Sequence, residues 1–445
     1  MTDLDIAEHL LSAAKAAGAD QADALVAVET SLGIGVSGGE LEEAERSEGR
    51  DAGLRVMIGG RQACVSGSDA SPAALTAMAE RAVALAREAP EDPYVGLADA
   101  SQTGGHVDPG TLDLADPSTA PDPETLEALA LEAEAAAMAV NGVTQVEQAS
   151  ASYGASHVTI AQSNGFSGSY PRTSMGIGVS AIAGEGLGRE RDYAGESRRF
   201  RADLPTPEWL GKRAGERAIA ALNPRKPPGG AVPVLYDERI AAGLFMHMLS
   251  AVNGSSIARG SSWLMEAMDT QILPEGLDVV EDPLIVRGPA SRPFDAEGIA
   301  SQRRPLVENG VLKRWILDCA SARKLGLQTT GNARRGTGGP PSPGSTNIRV
   351  TQGTQSRDEM IRDMGTGLLI TSLIGSSINA NTGDYSRGAS GFWVEGGEIA
   401  YPVNEITVAG KLPDMLKTFR LADDADPFRG ISVPSVLVEG LTVGA

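Results

Sequence analysis

Two periodicities share the first half of the chain. Leu4, Ile6, Leu10 and Leu11 recur at helical spacing, and Gly18 closes that segment. Further on, short apolar runs and every-second-residue alternation predict strands at 22–29, 32–38, 53–59 and 62–67, punctuated by Gly, Ser and Asp. Ser71-Pro72 opens an Ala-rich helix running to residue 89, a Pro/Asp/Gly-rich loop covers 90–121, and 123–140 reads as another helix. Strands at 143–151, 157–163 and 175–184 and a helix at 206–222 complete this half. Strands in runs, broken by helices, predict an α+β N-terminal domain (1–225) of mainly antiparallel sheet with flanking helices.

The stretch 223–233, NPRKPPGGAVP, concentrates prolines and glycines and reads as a linker. Beyond it the pattern predicts a strand at 232–236, a helix at 238–252, and then short strands within 284–288, 294–316, 345–353, 391–410 and 435–445. This is the signature of a C-terminal β-rich, barrel-like domain (226–445) with a few helices. ENGVL (308–312) and EGGEI (395–399) read as hairpins, because their glycines supply the positive φ that tight turns require.

The chain has 445 residues, 41% hydrophobic and 22% charged, which suits a globular protein with room for two domains. Its formal net charge is −20, and no Lys or Arg occurs between Glu88 and Tyr170. A nucleic-acid binder needs clustered Lys and Arg to displace counterions, so no direct nucleic-acid binding is expected. Two distant cysteines, Cys64 and Cys319, predict no disulfide framework and suit a reducing compartment. The acidic, amphipathic start is unlike a signal peptide, and no apolar run nears the ~18 residues that span a bilayer. A cytoplasmic protein without membrane contact is the expectation.

Familiar chemical motifs are weak or missing. Gly33-x-Gly35-x-x-Gly38 matches a dinucleotide fingerprint in letters, but its flanks read strand, turn, strand instead of strand, turn, helix, so no phosphate-binding helix N-terminus opens there. No G-x-x-x-x-G-K-[ST] loop and no G-x-S-x-G elbow occur. Only four histidines are present, His9, His106, His157 and His247, each isolated in sequence. His247 lies mid-helix, yet its same-face neighbours Gly243, Leu244, Ser250 and Ala251 offer no zinc ligand. It is expected to be a packing or rim histidine.

Several ordered blocks of the second half carry a family likeness. GSSIARGSSWL, RPFDAEGIASQRRPLVENGVLKRWILDCASARKLG, TTGNARRG and TGDYSRGASGFWVEGGEIAYPVNEITVAGKLPDML together resemble the TldD/PmbA family of cytoplasmic bacterial and archaeal peptidases, and specifically its PmbA (TldE) branch. The resemblance spans 228–445 and extends more loosely through the first half. In that family TldD-type subunits carry zinc on a His-Glu-x-x-x-His helix and a cysteine near the C-terminus. Registered on Arg259-Gly260-Ser261-Ser262, this chain has Phe245 and Met246 at the His-Glu pair and Ser250 at the second histidine. Registered on Gly430 and Ser432-Val433-Pro434, it has Asp426 at the cysteine. Phe, Met and Ser supply no imidazole, and one carboxylate holds zinc poorly.

The resemblance therefore implies a subunit with no catalytic or metal-binding residues and no cofactor of its own. Zinc is expected in a TldD-type partner, forming a heterodimer that cleaves unstructured polypeptides. The other reading is a non-proteolytic homodimer that binds peptides, of the gyrase- or antitoxin-modulator type. Substrate-facing candidates come from the polar stretches beside the family blocks: Asn253, Ser255 and Arg259, then Ser376, Ser377, Asn379 and Asn381. The same residue types also cap helices and form turns. Asp384 and Arg387 are expected to pair and hold the turn between them.

Overall fold

The structure, a computed structural model, describes residues 1–444, and Ser376 through its backbone alone. The N-terminal half is a six-stranded antiparallel sheet of spatial order β3-β2-β1-β4-β5-β6. Its strands are β1 (Gln21–Ser37), β2 (Glu40–Ile58), β3 (Arg61–Gly67), β4 (Val143–Gln162), β5 (Ser167–Ala183) and β6 (Glu190–Arg198). Four helices flank it: α1 (Asp3–Ala17), α2 (Pro72–Glu88), α3 (Pro123–Met138) and α4 (Pro207–Ala220). Each starts where a side-chain oxygen can take an orphan backbone N–H, from Thr2, Ser71, Asp122 and Thr206 respectively.

Period-two alternation decides which face the helices cover. Ala22, Ala24 and Val26 pack under α1 and α2, while Leu32, Ile34 and Val36 of the same strand pack under α3. All six share one parity, so all four helices lie on one face. Leu25, of the other parity, meets Ile160, Tyr170 and, from the C-terminal half, Phe294. Phe294 stands edge-on to Tyr170 and Phe166, with ring centroids 5.3 and 5.1 Å apart. The opposite face of the sheet is thus where the two halves meet.

The C-terminal half closes on itself. Strand β7 (Gly230–Tyr236) runs between Gly367–Ile378 and Val436–Gly444, and the sheet continues through Asp384–Glu395 to Glu398–Lys411. Glu398–Lys411 then pairs back onto Val436–Gly444 at Val408↔Val443, which completes a five-stranded barrel. Helix α5 (Glu238–Ala251) packs on it and contributes Leu244, Phe245 and Met248 to the large core. A smaller sheet, containing Val279–Glu281, Arg304–Glu308 and Ile348–Val350, flanks the barrel. The α+β architecture expected from the sequence is the one observed. No helix of the described residues is long and apolar enough to cross a membrane.

Several local expectations are corrected. The segments 22–29 and 32–38 form one strand, and so do 143–151 and 157–163; small residues interrupt the apolar pattern without interrupting the ladder. The glycines of the G-x-G-x-x-G match accordingly lie in β1 and the turn after it. Residues 40–51 were expected in no element, being acidic and exposed, yet they are the first half of β2. The run 284–288 is no strand: Arg287 takes φ 57° and its side chain reaches Asp113 and Asp203. Asp384 and Arg387 form no ion pair. Three residues apart on one strand they point to opposite faces, and Asp384 accepts instead from Thr382 Oγ1 at 2.6 Å. Both hairpins form as expected, with Gly310 at φ 77° and Gly396 and Gly397 at 63° and 80°.

One close approach seats the halves on each other. A Cβ on Gly53 would lie 2.2 Å from the Thr337 carbonyl oxygen, so only glycine lets the loop around Thr337 rest on β2. Gly49, four residues earlier, has open space around its would-be Cβ. Gly53→Ala is therefore expected to cost about 1–3 kcal/mol of stability in urea unfolding, as overpacking does, while Gly49→Ala leaves stability unchanged or slightly raised. Equal effects of the two would remove the Gly53 contact from the account.

Candidate functional site

Helix α5 carries three of the four positions registered to the metal motif, and its geometry can be built upward from its cap. Asp237 starts the helix by accepting from Arg239 N at 3.3 Å. Ala241, Leu244, Phe245, Met248 and Leu249 then fall on the buried side. Phe245 is fully buried, its ring 5.7 Å from that of Phe419. Met246 is 53% exposed, and Ser250 is exposed. Asp426 lies elsewhere, in an ionic lattice with Arg198 and Arg429, each 3.6 Å away. It also accepts the Phe428 backbone N–H at 2.8 Å. The four positions registered to a metal site thus include one core side chain and one carboxylate already neutralised by two guanidiniums. Such a set does not fit zinc. Among the described residues no three His, Cys, Asp or Glu side chains gather where they could hold a metal ion.

His247 has a packing environment. Its ring stands edge-on to Tyr385 at 6.0 Å, and Tyr385 Oη lies 3.3 Å from Tyr236 Oη. Burial and the nearby Arg387 charge push the imidazole below its usual pKa, so it is neutral at pH 7. Its Nε2 has no hydrogen-bond partner.

The polar candidates have mostly structural partners. Asn253 caps the short helix Gly254–Ala258 by accepting from Ser255 N, and donates to the Pro343 carbonyl. Asn379 accepts from Asn381 N and Thr382 N, and Asn381 accepts from Ser261 Oγ. Arg259 and Ser377 are exposed, and Ser377 pairs through its backbone with Ser386. The Ser376 side chain is outside the described residues. None of the other six lines either of the two cavities described next.

The larger cavity, about 880 Å³, lies where the helix-free face of the N-terminal sheet meets the C-terminal half. β1 contributes Leu25, Ala27, Glu29 and Ser31, and β4 contributes Ser156, Val158 and Ile160. The opposing wall is basic, with Arg292, Arg334 and Arg335. The other, about 670 Å³, opens beside the N-terminal end of α5 and includes Asp426. Sequence reasoning missed this groove and its arginines. Arg292, Arg334 and Arg335 sit within blocks that carry the family likeness, which was the available signal.

Beside the groove is a buried charged seam. Asp23, fully buried on β1, accepts from Arg55 Nε of β2 at 2.7 Å and makes an ion contact with Arg335 from the C-terminal half. Glu297, also buried, accepts from the Cys319 backbone N–H at 2.8 Å. Burial, with Asp295 and Asp318 nearby, raises the Glu297 carboxyl to about 7.

Two halves, an antiparallel helix-backed sheet and a barrel with a packed helix, define a two-part α+β protein. Models of the PmbA/TldA metallopeptidase domain 1, central domain and C-terminal domain match residues 22–86, 116–222 and 229–445. The chain belongs to the PmbA/TldD family of metallopeptidases. It is 37% identical to metalloprotease PmbA of Escherichia coli O157:H7 over 98% of this chain and 96% of that one. A crystal structure from Bacteroides thetaiotaomicron, of a protein proposed as a modulator of DNA gyrase, superposes with a TM-score of 0.91 at 25% identity, over 99% and 98% of the two chains. TldE of Thermococcus kodakarensis superposes at 0.86 with 20% identity, over 98% and 99%, a likeness of fold.

The raised Glu297 carboxyl has a definite pH signature. A carboxyl whose folded pKa lies above its unfolded value favours the fold fully below that unfolded value, and the contribution is lost as pH rises through the folded one. The window here runs from about 4.5 to about 7. Glu297→Gln keeps an acceptor for Cys319 N and removes the titration. Thermal unfolding should therefore show the variant gaining on the unmodified chain as pH rises from 5 to 8. Parallel pH profiles would contradict this assignment.

Proposed function

We propose that this chain is the non-metal subunit of a PmbA/TldD-type metallopeptidase complex acting on unstructured polypeptides. The zinc chemistry resides in a TldD-type partner, and this chain's task is to hold extended substrate. One observation carries the reading: the helix that would bear the His-Glu-x-x-x-His motif commits its first position, Phe245, to the core. A ligand must face the metal, and a side chain packed on Phe419 cannot.

Two further features support substrate handling. β3 covers β2 only from Ala52 onward, so residues 40–51 have no strand neighbour on their outer side among the described residues. An extended peptide can add to such an edge through backbone hydrogen bonds, with little sequence preference. Cys64 and Cys319 are both free, in keeping with a reducing cytoplasmic setting.

The test is cleavage of an unstructured peptide by this chain, by a TldD-type partner, and by the mixture. Activity only in the mixture, abolished by a zinc chelator, is the expected outcome. Hydrolysis by this chain alone would overturn the proposal. Tight peptide binding without cleavage, even in the mixture, would assign the chain instead to the homodimeric peptide-binding reading.

A further inference from the structure

Four arginines converge on the groove with no carboxylate partner. Arg172 and Arg199 come from the N-terminal half, and Arg292 and Arg334 from the C-terminal half. None has a carboxylate within ion-pair distance among the described residues, in a chain with 58 acidic residues against 38 basic ones. Their donors go to neutral oxygens instead. Arg172 Nη2 reaches Tyr170 Oη at 3.3 Å and the Ser291 carbonyl at 3.2 Å. Arg199 Nη1 donates to the Thr173 carbonyl at 3.0 Å, and its Nη2 reaches the Pro289 carbonyl. Arg292 donates to the Ala333 and Gly331 carbonyls, and Arg334 to that of Ser345. Arg292 is only 6% exposed, and the Nε atoms of Arg172, Arg199 and Arg292 have no partner.

The carboxylates that come nearest are otherwise engaged. Asp295, whose carboxyl feels the Arg292 charge, accepts the backbone N–H groups of Glu297, Ile299 and Ala333. Glu281, felt by Arg334, is held by Asn332 and Thr346. Glu29 and Asp51 also line the groove without pairing with these arginines. The guanidiniums meanwhile repel one another. Burial and the Arg172 charge push Arg199 down to about 10, and burial with Arg292 and Arg172 lowers Arg334. Like charges gathered in a partly desolvated wall raise the free energy of the empty site, and a bound anion lowers it.

We infer that this wall is a carboxylate-binding subsite, which takes the anionic groups of an extended peptide lying in the groove. The inference rests on the peptide-holding function proposed above. Guanidinium forks match carboxylates bidentately. The rest of the lining, apolar at Leu25 and Ile160 and hydroxylic at Ser31, Ser156 and Ser174, suits a mixed peptide. The chain's overall negative charge disfavours acidic peptides everywhere else, so the groove confers position as well as affinity.

The carboxylate can come from acidic side chains or from a peptide C-terminus, and three labelled unstructured peptides separate these sources. One carries Asp and Glu with an amidated end, one is neutral with a free carboxylate, and one is neutral and amidated. Fluorescence anisotropy with the full chain should show one or both anionic peptides binding about tenfold or more tighter than the neutral amide, with the preference weakening in salt. Arg172→Gln with Arg199→Gln should abolish that preference, while the double lysine variant, which preserves charge, retains much of it. Equal binding of all three peptides, or a preference that survives the glutamine variant, overturns the subsite and leaves the peptide-holding function standing. Binding of none overturns it too, and the mixture cleavage assay then decides the broader function separately.

Discussion

A single buried carboxylate holds the two halves in register. Asp23 has no exposed surface and is shared between Arg55 of its own sheet and Arg335 of the other half. Removing one member of such a buried set leaves charge uncompensated in the interior, at a cost of about 3–5 kcal/mol. The contact also explains why the chain needs glycine at 53. Arg335 can reach Asp23 only if its loop lies flat on β2, and the Thr337 backbone occupies the space a side chain would take. Arg334 is carried by the same loop, so the basic wall of the groove inherits its position from this contact.

From that seam the division of labour follows strand parity. One face of the N-terminal sheet is apolar at alternate positions and disappears under four helices. The other begins apolar, at Leu25 and Ile160, where it receives Phe294, and turns polar at Glu29 and Ser31, where it opens into the groove. A sheet that is half interface and half binding surface needs both kinds of residue along one strand. In the C-terminal half α5 packs on the barrel and contributes Leu244, Phe245 and Met248 to the large core. Ring packing of Phe245 against Phe419 gives that position of the helix a structural role.

Much of this was legible in the sequence, and the exceptions have physical causes. One helix start was marked by Ser71-Pro72, and the hairpins by Asn309-Gly310 and Gly396-Gly397, because caps and turns are local chemistry. The first half of β2 was invisible because both its faces are exposed, so no apolar alternation marks it. Long strands were cut at Gly, Ser and Ala, residues that weaken the pattern while the ladder continues. The substitutions at Phe245, Met246 and Ser250 could be read by register alone, but the ion pairs of Asp426 could not, since Arg198 lies far away in the chain. The groove was unreadable for the same reason. Its arginines are separated by as many as 163 positions, from Arg172 to Arg335, and only the packing of one half on the other unites them.

The proposed function turns on whether this chain binds zinc by itself. Titration of the purified, metal-stripped chain with zinc, in competition with a chromophoric chelator, tests it most directly. No stoichiometric site tighter than about micromolar is expected, since Phe245, Met246 and Ser250 offer no imidazole and Asp426 is neutralised by Arg198 and Arg429. One zinc per chain bound at nanomolar affinity would contradict it.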